Sequence, residues 1–278
     1  MLWFGKQAEA AREVGDKIQP ATLKIGLDAK ICARKLSKLR EDASEQGGVE
    51  SLVQALNAKH ALFERALAVE NVDTLEGAAF ETLLECIFPA RRKLPSVLSA
   101  LEHGALAAAV KQLLYGNGPL ADRMAGFVEG LATETPKQRR AAWDLAAELV
   151  HFRAPDQYPL MTHWVWDPNT LSGAVREFIR GNDTLADIPL DGTPESFEGC
   201  RVWFAEQLAA EGYYRDVSLL VDLLLAQAYA DYLRAMASGI GMLTAELGTK
   251  SGSLEILIKL LGIDPPRREG RSRIKNLE

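Results

Sequence analysis

An all-α fold is predicted for this 278-residue chain on three observations. Apolar residues recur at spacings of three and four along most of the sequence. Glycines and prolines interrupt that pattern at intervals suited to short helix–helix connections. No segment shows the apolar–polar alternation of a half-buried strand.

Residues 20–46 place Ile25, Ala29, Cys32, Leu36 and Leu39 on one helix face, and Gly47-Gly48 ends that helix. The spacing then resumes with Val49, Val53, Leu56, His60, Phe63 and Leu67, so the two segments read as an antiparallel hairpin. Asp73 is the expected cap of a third helix over 74–88, which must stop before Pro89. Two prolines and three consecutive basic residues make 89–95 the best candidate for a boundary. The expected organisation is a helical hairpin unit over 1–90 and a larger helical bundle over 91–263. A mobile basic tail is expected over 264–278.

Within the bundle, helices are expected over 94–116, 119–132 and 135–152, with Pro119 and Pro136 at tolerant first-turn positions. A short helix over 171–180 and another from Thr193 to about Glu211 follow. Residues 213–237 are apolar on nearly every side, which predicts a buried central helix. A last short helix ends near Asp264.

Composition narrows the function classes. Net charge is −6 with 25% charged and 47% hydrophobic residues, values of a globular protein for which nucleic acid is an unlikely partner. The three cysteines, Cys32, Cys86 and Cys200, are widely separated and form no Cys-x-x-Cys or Cys/His cluster. A zinc site, a disulfide framework and a cofactor are therefore not expected, and a cytoplasmic setting is. The start lacks the pattern of a signal peptide, and no apolar run is long enough to span a bilayer. Leu2, Trp3 and Phe4 are expected to fold back onto the protein or to dock on a partner.

The least helical stretch runs from His151 to Thr170 and holds two of five tryptophans, two of four histidines and three of twelve prolines. Pro155 and Pro159 forbid a continuous helix there. Its aromatic residues either plug a gap between helical layers or line a ligand pocket in which His163 handles a proton. Asp222 lies among leucines of the central helix, on a polar stripe with Arg215, Ser218 and Tyr229. A buried carboxylate needs a partner, and His163 or Arg153 from the Pro-rich loop is expected to supply it. The candidate ligand pocket therefore comprises Arg153, Tyr158, His163, Trp164, Trp166, Arg215 and Asp222.

Glu148 and His151 have the Glu-x-x-His spacing of di-iron bundles, but no second such pair accompanies them, so a metal is not expected. His151 reads instead as a helix-end histidine favoured by the C-terminal dipole. His60 and Cys32 face each other across the expected hairpin, a pairing that can activate a thiol but more often only packs. Lys30, Arg34 and Lys38 form one basic stripe, and Arg91-Arg92-Lys93 a second basic group.

Ser238, Gly239, Ile240, Gly241, Thr244 and Ala245 resemble the hairpin of helix-hairpin-helix DNA-binding proteins. That resemblance implies amides offered to a phosphate. Met242 and Leu243 stand where the lysine-bearing glycosylases of that superfamily carry a basic residue, and Asp264 follows at a distance reminiscent of their catalytic aspartate. The expected function is a helical binding or scaffold role engaging a protein partner or a second copy. The alternative is an enzyme or small-molecule binder using 152–170 with Asp222, and helix-hairpin-helix-like DNA binding is the remote alternative.

Overall fold

The computed structural model describes residues 17–181, 187–239 and 252–264. Among these residues the fold is all-α, with eleven α-helices and no strand beyond two isolated bridges. The helices are α1 (Ala29–Ala43), α2 (Gly48–Ala66), α3 (Ala78–Glu85), α4 (Phe88–Lys93), α5 (Pro95–Ser99) and α6 (Ala105–Tyr115). They continue as α7 (Leu120–Gly130), α8 (Pro136–Arg153), α9 (Pro194–Ala210), α10 (Val217–Gly239) and α11 (Ser253–Leu260). Among the described residues no helix is long and apolar enough to cross a membrane.

Local chemistry sets the helix ends. The helix expected over 20–46 begins only at Ala29, because Asp28 caps it by accepting from the Lys30 and Ile31 amides. Residues before it run non-helically against α9, where Ala21 donates its amide to Glu195 O at 2.8 Å. Gly199 permits that approach, since a Cβ there would lie 2.5 Å from the Ala21 carbonyl oxygen. Asp73 does not cap the third helix: it pairs with Lys111, and α3 starts after Gly77. The helix expected over 94–116 is divided at Gly104, whose left-handed φ of 81° breaks it into α5 and α6. Thr135 forms a full capping box with Gln138 at the start of α8. Residues 174–178 form a 3₁₀ turn rather than an α-helix.

Residues 89–95 span α4 and the start of α5, and Ala90 and Leu94 are fully buried. One connected apolar cluster runs from Ile18 through these residues to Leu261.

Two helices lie deep in that cluster. α10 is buried continuously from Ser218 to Ala228, as expected of the 213–237 segment, and packs against α1, α2, α9 and α11. α8 is buried continuously from Asp144 to Phe152 and packs against α2, α4 and α7. The expectation of one central helix therefore extends to two. The stretch after α8 folds as a plug: Tyr158, Leu160, Met161, Trp164, Val165 and Trp166 are all buried. Trp166 donates its Nε1–H to Leu190 O at 3.0 Å, and Trp164 packs against Tyr229 of α10 with centroids 6.1 Å apart.

Gly262, just past α11, has φ +63° and lies so close to the Cys86 carbonyl that a Cβ cannot fit. Gly262→Ala is therefore expected to undock α11 and lower the melting temperature by several degrees. Gly126→Ala, in mid-α7 with open space around it, should stabilise by about 0.5–1 kcal/mol. Thermal melts of both variants check this, and equal effects would refute the close approach.

Candidate functional site

Lys59 of α2 is a buried lysine whose side chain is 2% exposed. Its ammonium donates to Glu148 Oε2 of α8 at 2.6 Å, to Cys86 O at 2.9 Å and to Leu261 O at 2.8 Å. Those two carbonyls stand at the C-terminal ends of α3 and α11, where the helix dipoles favour a cation. The Phe152 ring lies 3.7 Å from the ammonium, so all its faces are satisfied. Burial pushes the Glu148 carboxyl up to about 7, against the pull of Lys59. Its second oxygen, Oε1, has no hydrogen-bond partner.

One turn further along α8, His151 meets Asp222 of α10, Nε2 to Oδ2, at 2.8 Å, and both side chains are buried. The other ring nitrogen contacts the Tyr158 carbonyl at 2.7 Å, and a carbonyl only accepts, so Nδ1 carries a proton. Both nitrogens are committed, and the ring is a structural cross-link between the two deep helices. Beside it, Arg201 of α9 grips Glu198 through two bonds of 2.7 and 2.6 Å and donates to Ser218, which donates to Asp156.

His163 belongs to a separate dyad. Asp144 Oδ1 accepts both the His163 main-chain amide at 2.8 Å and its Nδ1–H at 2.9 Å. The ring is thus fixed in the Nδ1–H tautomer with its Nε2 lone pair free, and its side chain is 16% exposed. Asp144 and His151 are seven residues apart on α8, about 10 Å along the axis, so the two dyads occupy different levels. Around His163, the Thr162 hydroxyl and Trp164 Nε1 are buried without partners. Asp167 is also buried; burial alone would raise its carboxyl, yet Arg140 and the Asn169 amide hold it below the usual carboxylate range.

Burial disfavours the thiolate form of Cys32 and Cys200, pushing Cys32 up to about 11 and Cys200 up to about 12. The His60 ring contacts the Phe152 carbonyl at 2.7 Å through Nδ1. Among the described residues no three His, Cys, Asp or Glu side chains converge as a metal cage would.

The surface offers a different kind of site. A recess of about 460 Å³ opens between the N-terminal half of α2 and the 212–216 loop joining α9 to α10. Val53 and Leu220 line its floor, and Glu50, Tyr214, Arg215 and Asp216 its rim. Tyr214 is 76% exposed, and among the described residues Val69 is the other exposed large apolar side chain.

The expected pocket residues are consequently dispersed. Asp222 has a histidine partner from the 151–170 stretch, but it is His151 and not His163. Arg153 turns to Tyr115, stacking 4.7 Å from its ring centroid and bonding its hydroxyl. Tyr158, Trp164 and Trp166 are internal, while Arg215 lies on the recess. Residues 240–251 of the helix-hairpin-helix-like stretch lie outside the described residues, as do Leu2, Trp3, Phe4 and the tail after Asp264. Asp264 itself forks with Arg91 at 3.0 Å. No protein-family model, curated protein or solved structure matches the chain. Its own geometry carries the functional argument.

Sequence periodicity placed His60 on the α2 seam, whereas the buried face is Val49, Leu52, Leu56, Lys59 and Phe63. The signal was present: Lys59 is three residues after Leu56 and four before Phe63.

Lys59→Met should cost about 3–5 kcal/mol in urea unfolding, because it strands Glu148 in the core. The double variant Lys59→Met/Glu148→Leu should be less destabilised than the sum of the single variants, as for a buried pair. The folded chain holds the Glu148 proton more tightly than the unfolded chain, about 7 against 4.5. Its contribution is therefore full below pH 4.5 and fades as pH rises through 7. The stability lead of the wild type over Glu148→Gln should narrow across that window, and a widening lead would show that Lys59 keeps the carboxylate ionised throughout.

Proposed function

We propose that this protein is a helical binding module that engages a protein partner through the recess beside Tyr214. The observation that carries the reading is the disposition of side chains. Lys59, Glu148, His151, Asp222, Glu198 and Arg201 are committed to internal pairs, whereas Tyr214 stands 76% exposed on an apolar-floored recess. Tyrosine and arginine are the residue types that anchor protein interfaces, and Tyr214-Arg215 supplies both. The unpaired, buried thiols of Cys32 and Cys200 suit a reducing cytoplasmic setting.

A photo-crosslinking amino acid in place of Tyr214 should capture one protein in cells, and the same residue in place of Val69 should not. Tyr214→Ala should leave stability within about 0.5 kcal/mol of wild type while abolishing that partnership. Equal labelling from both positions, or none from position 214, would end this reading. Capture of a second copy would assign the recess to self-association.

A second reading rests on the His163–Asp144 dyad, in which a buried carboxylate holds Nδ1 and Nε2 makes no hydrogen bond among the described residues, as a positioned base requires. It makes the neighbourhood of Trp143 and His163 a small-molecule site, with Asp222 playing no part. Native mass spectrometry should then find a low-mass adduct that His163→Ala loses. An unliganded mass for the natively purified wild type would remove this alternative.

A further inference from the structure

We infer that the recess receives a basic side chain, an arginine or lysine from an extended segment of the partner protein. Its aliphatic stem would lie on Val53 and Leu220, and its charged head would meet Tyr214, Glu50 and Asp216. The inference rests on the recess being the docking face and gives that face its chemistry.

The molecule already contains the arrangement once. Arg40 places its guanidinium 5.3 Å from the Tyr213 ring centroid, donates to the Tyr213 hydroxyl at 3.0 Å and lies 3.6 Å from Glu211. An aromatic face beside a carboxylate therefore holds an arginine on the adjoining surface. Tyr214 is the next residue, with no cation and no ring upon it. The carboxylates beside it are also unneutralised. Among the described residues Glu50 makes no ion pair, and the Asp216 carboxylate accepts only the neutral Asn57 amide, at 3.1 Å. Apart from Arg215, no cation among the described residues lines the recess.

Charge is segregated in the same sense. Residues 17–40 hold seven basic residues and one acidic, whereas 41–50 hold four acidic and no basic. Glu41 in the last turn of α1 and Glu45 just past it are both exposed, where the helix dipole disfavours anions, so helix stability does not account for them. Glu50 and Asp216 place two carboxylates on the recess against the single cation of Arg215. The loop that presents Asp216 is also fixed: its φ is +51°, and its carbonyl accepts the Leu220 amide at 2.9 Å. A pre-set rim avoids ordering costs on binding.

Arg215 adds a condition. It is a cation on the rim without an ion-pair partner, so a run of arginines would be repelled. A single basic anchor followed by an acidic residue satisfies both signs, with the acidic neighbour meeting Arg215.

The test uses the full chain and capped, fluorescent heptapeptides centred on Leu-Arg-Asp, on Leu-citrulline-Asp and on Arg-Arg-Arg. In anisotropy titrations, the citrulline peptide should bind about threefold to tenfold more weakly than the arginine peptide. Tyr214→Ala and Glu50→Lys should each weaken the arginine peptide by a similar factor, and raised salt should weaken it further. Arg215→Ala should selectively improve the Arg-Arg-Arg peptide. Equal binding of arginine and citrulline peptides would overturn the inference while leaving the docking face intact if position 214 still crosslinks to its partner. Failure of every peptide together with failure of that crosslink would overturn both. A severalfold gain in peptide affinity on deleting residues 265–278 would identify the chain's own tail as the occupant and overturn a partner in trans.

Discussion

The ammonium of Lys59 is the point on which this fold closes. A cation in an apolar core is tolerated only when its hydrogens are all received and a counter-charge is near. Here one carboxylate and two helix-end carbonyls receive them, from α8, from the end of α3 and from the end of α11. Three segments distant in sequence are thereby held at hydrogen-bond distance from one atom of α2. Apolar packing alone tolerates small slips of one helix along another, but a bonded charge does not.

The same device recurs at lower stakes. His151–Asp222 joins the two deep helices, and Arg201–Glu198–Ser218 ties α9 to α10. Several interior charged groups are matched to each other, while Glu148 Oε1, the Thr162 hydroxyl and Trp164 Nε1 find no partner among the described residues. Two features stand nearer the surface: the His163 ring, 16% exposed, and the open rim beside Tyr214. An all-helical scaffold fixed in register by internal pairs makes a rigid platform for such a rim.

Much of the architecture was legible in the sequence, and for simple reasons. Periodicity showed α1, α2 and the burial of α10, because a helix apolar on every side has nowhere else to go. Pro136 located the start of α8, and the structure adds the Thr135 capping box. The identity of the cross-links was not legible. Asp222 clearly required a partner, but helix periodicity cannot say which of two histidines twelve residues apart will reach it. Lys59 was passed over because lysine normally lies outside, and only the convergence of two distant helix ends makes its burial tolerable. The Tyr214 rim was missed for the opposite reason. It depends on α2 and the α9–α10 connection meeting in space, more than 150 positions apart.

The Lys59 contact with Leu261 spans 202 positions, and that span has a consequence for synthesis. A ribosome adding about 5–20 residues each second takes roughly 10–40 s to pass from one partner to the other. Throughout that interval the nascent chain holds a lysine whose final acceptor does not yet exist. Native closure is therefore deferred until Leu261 has left the exit tunnel, and premature termination upstream of it yields a product without that acceptor for Lys59.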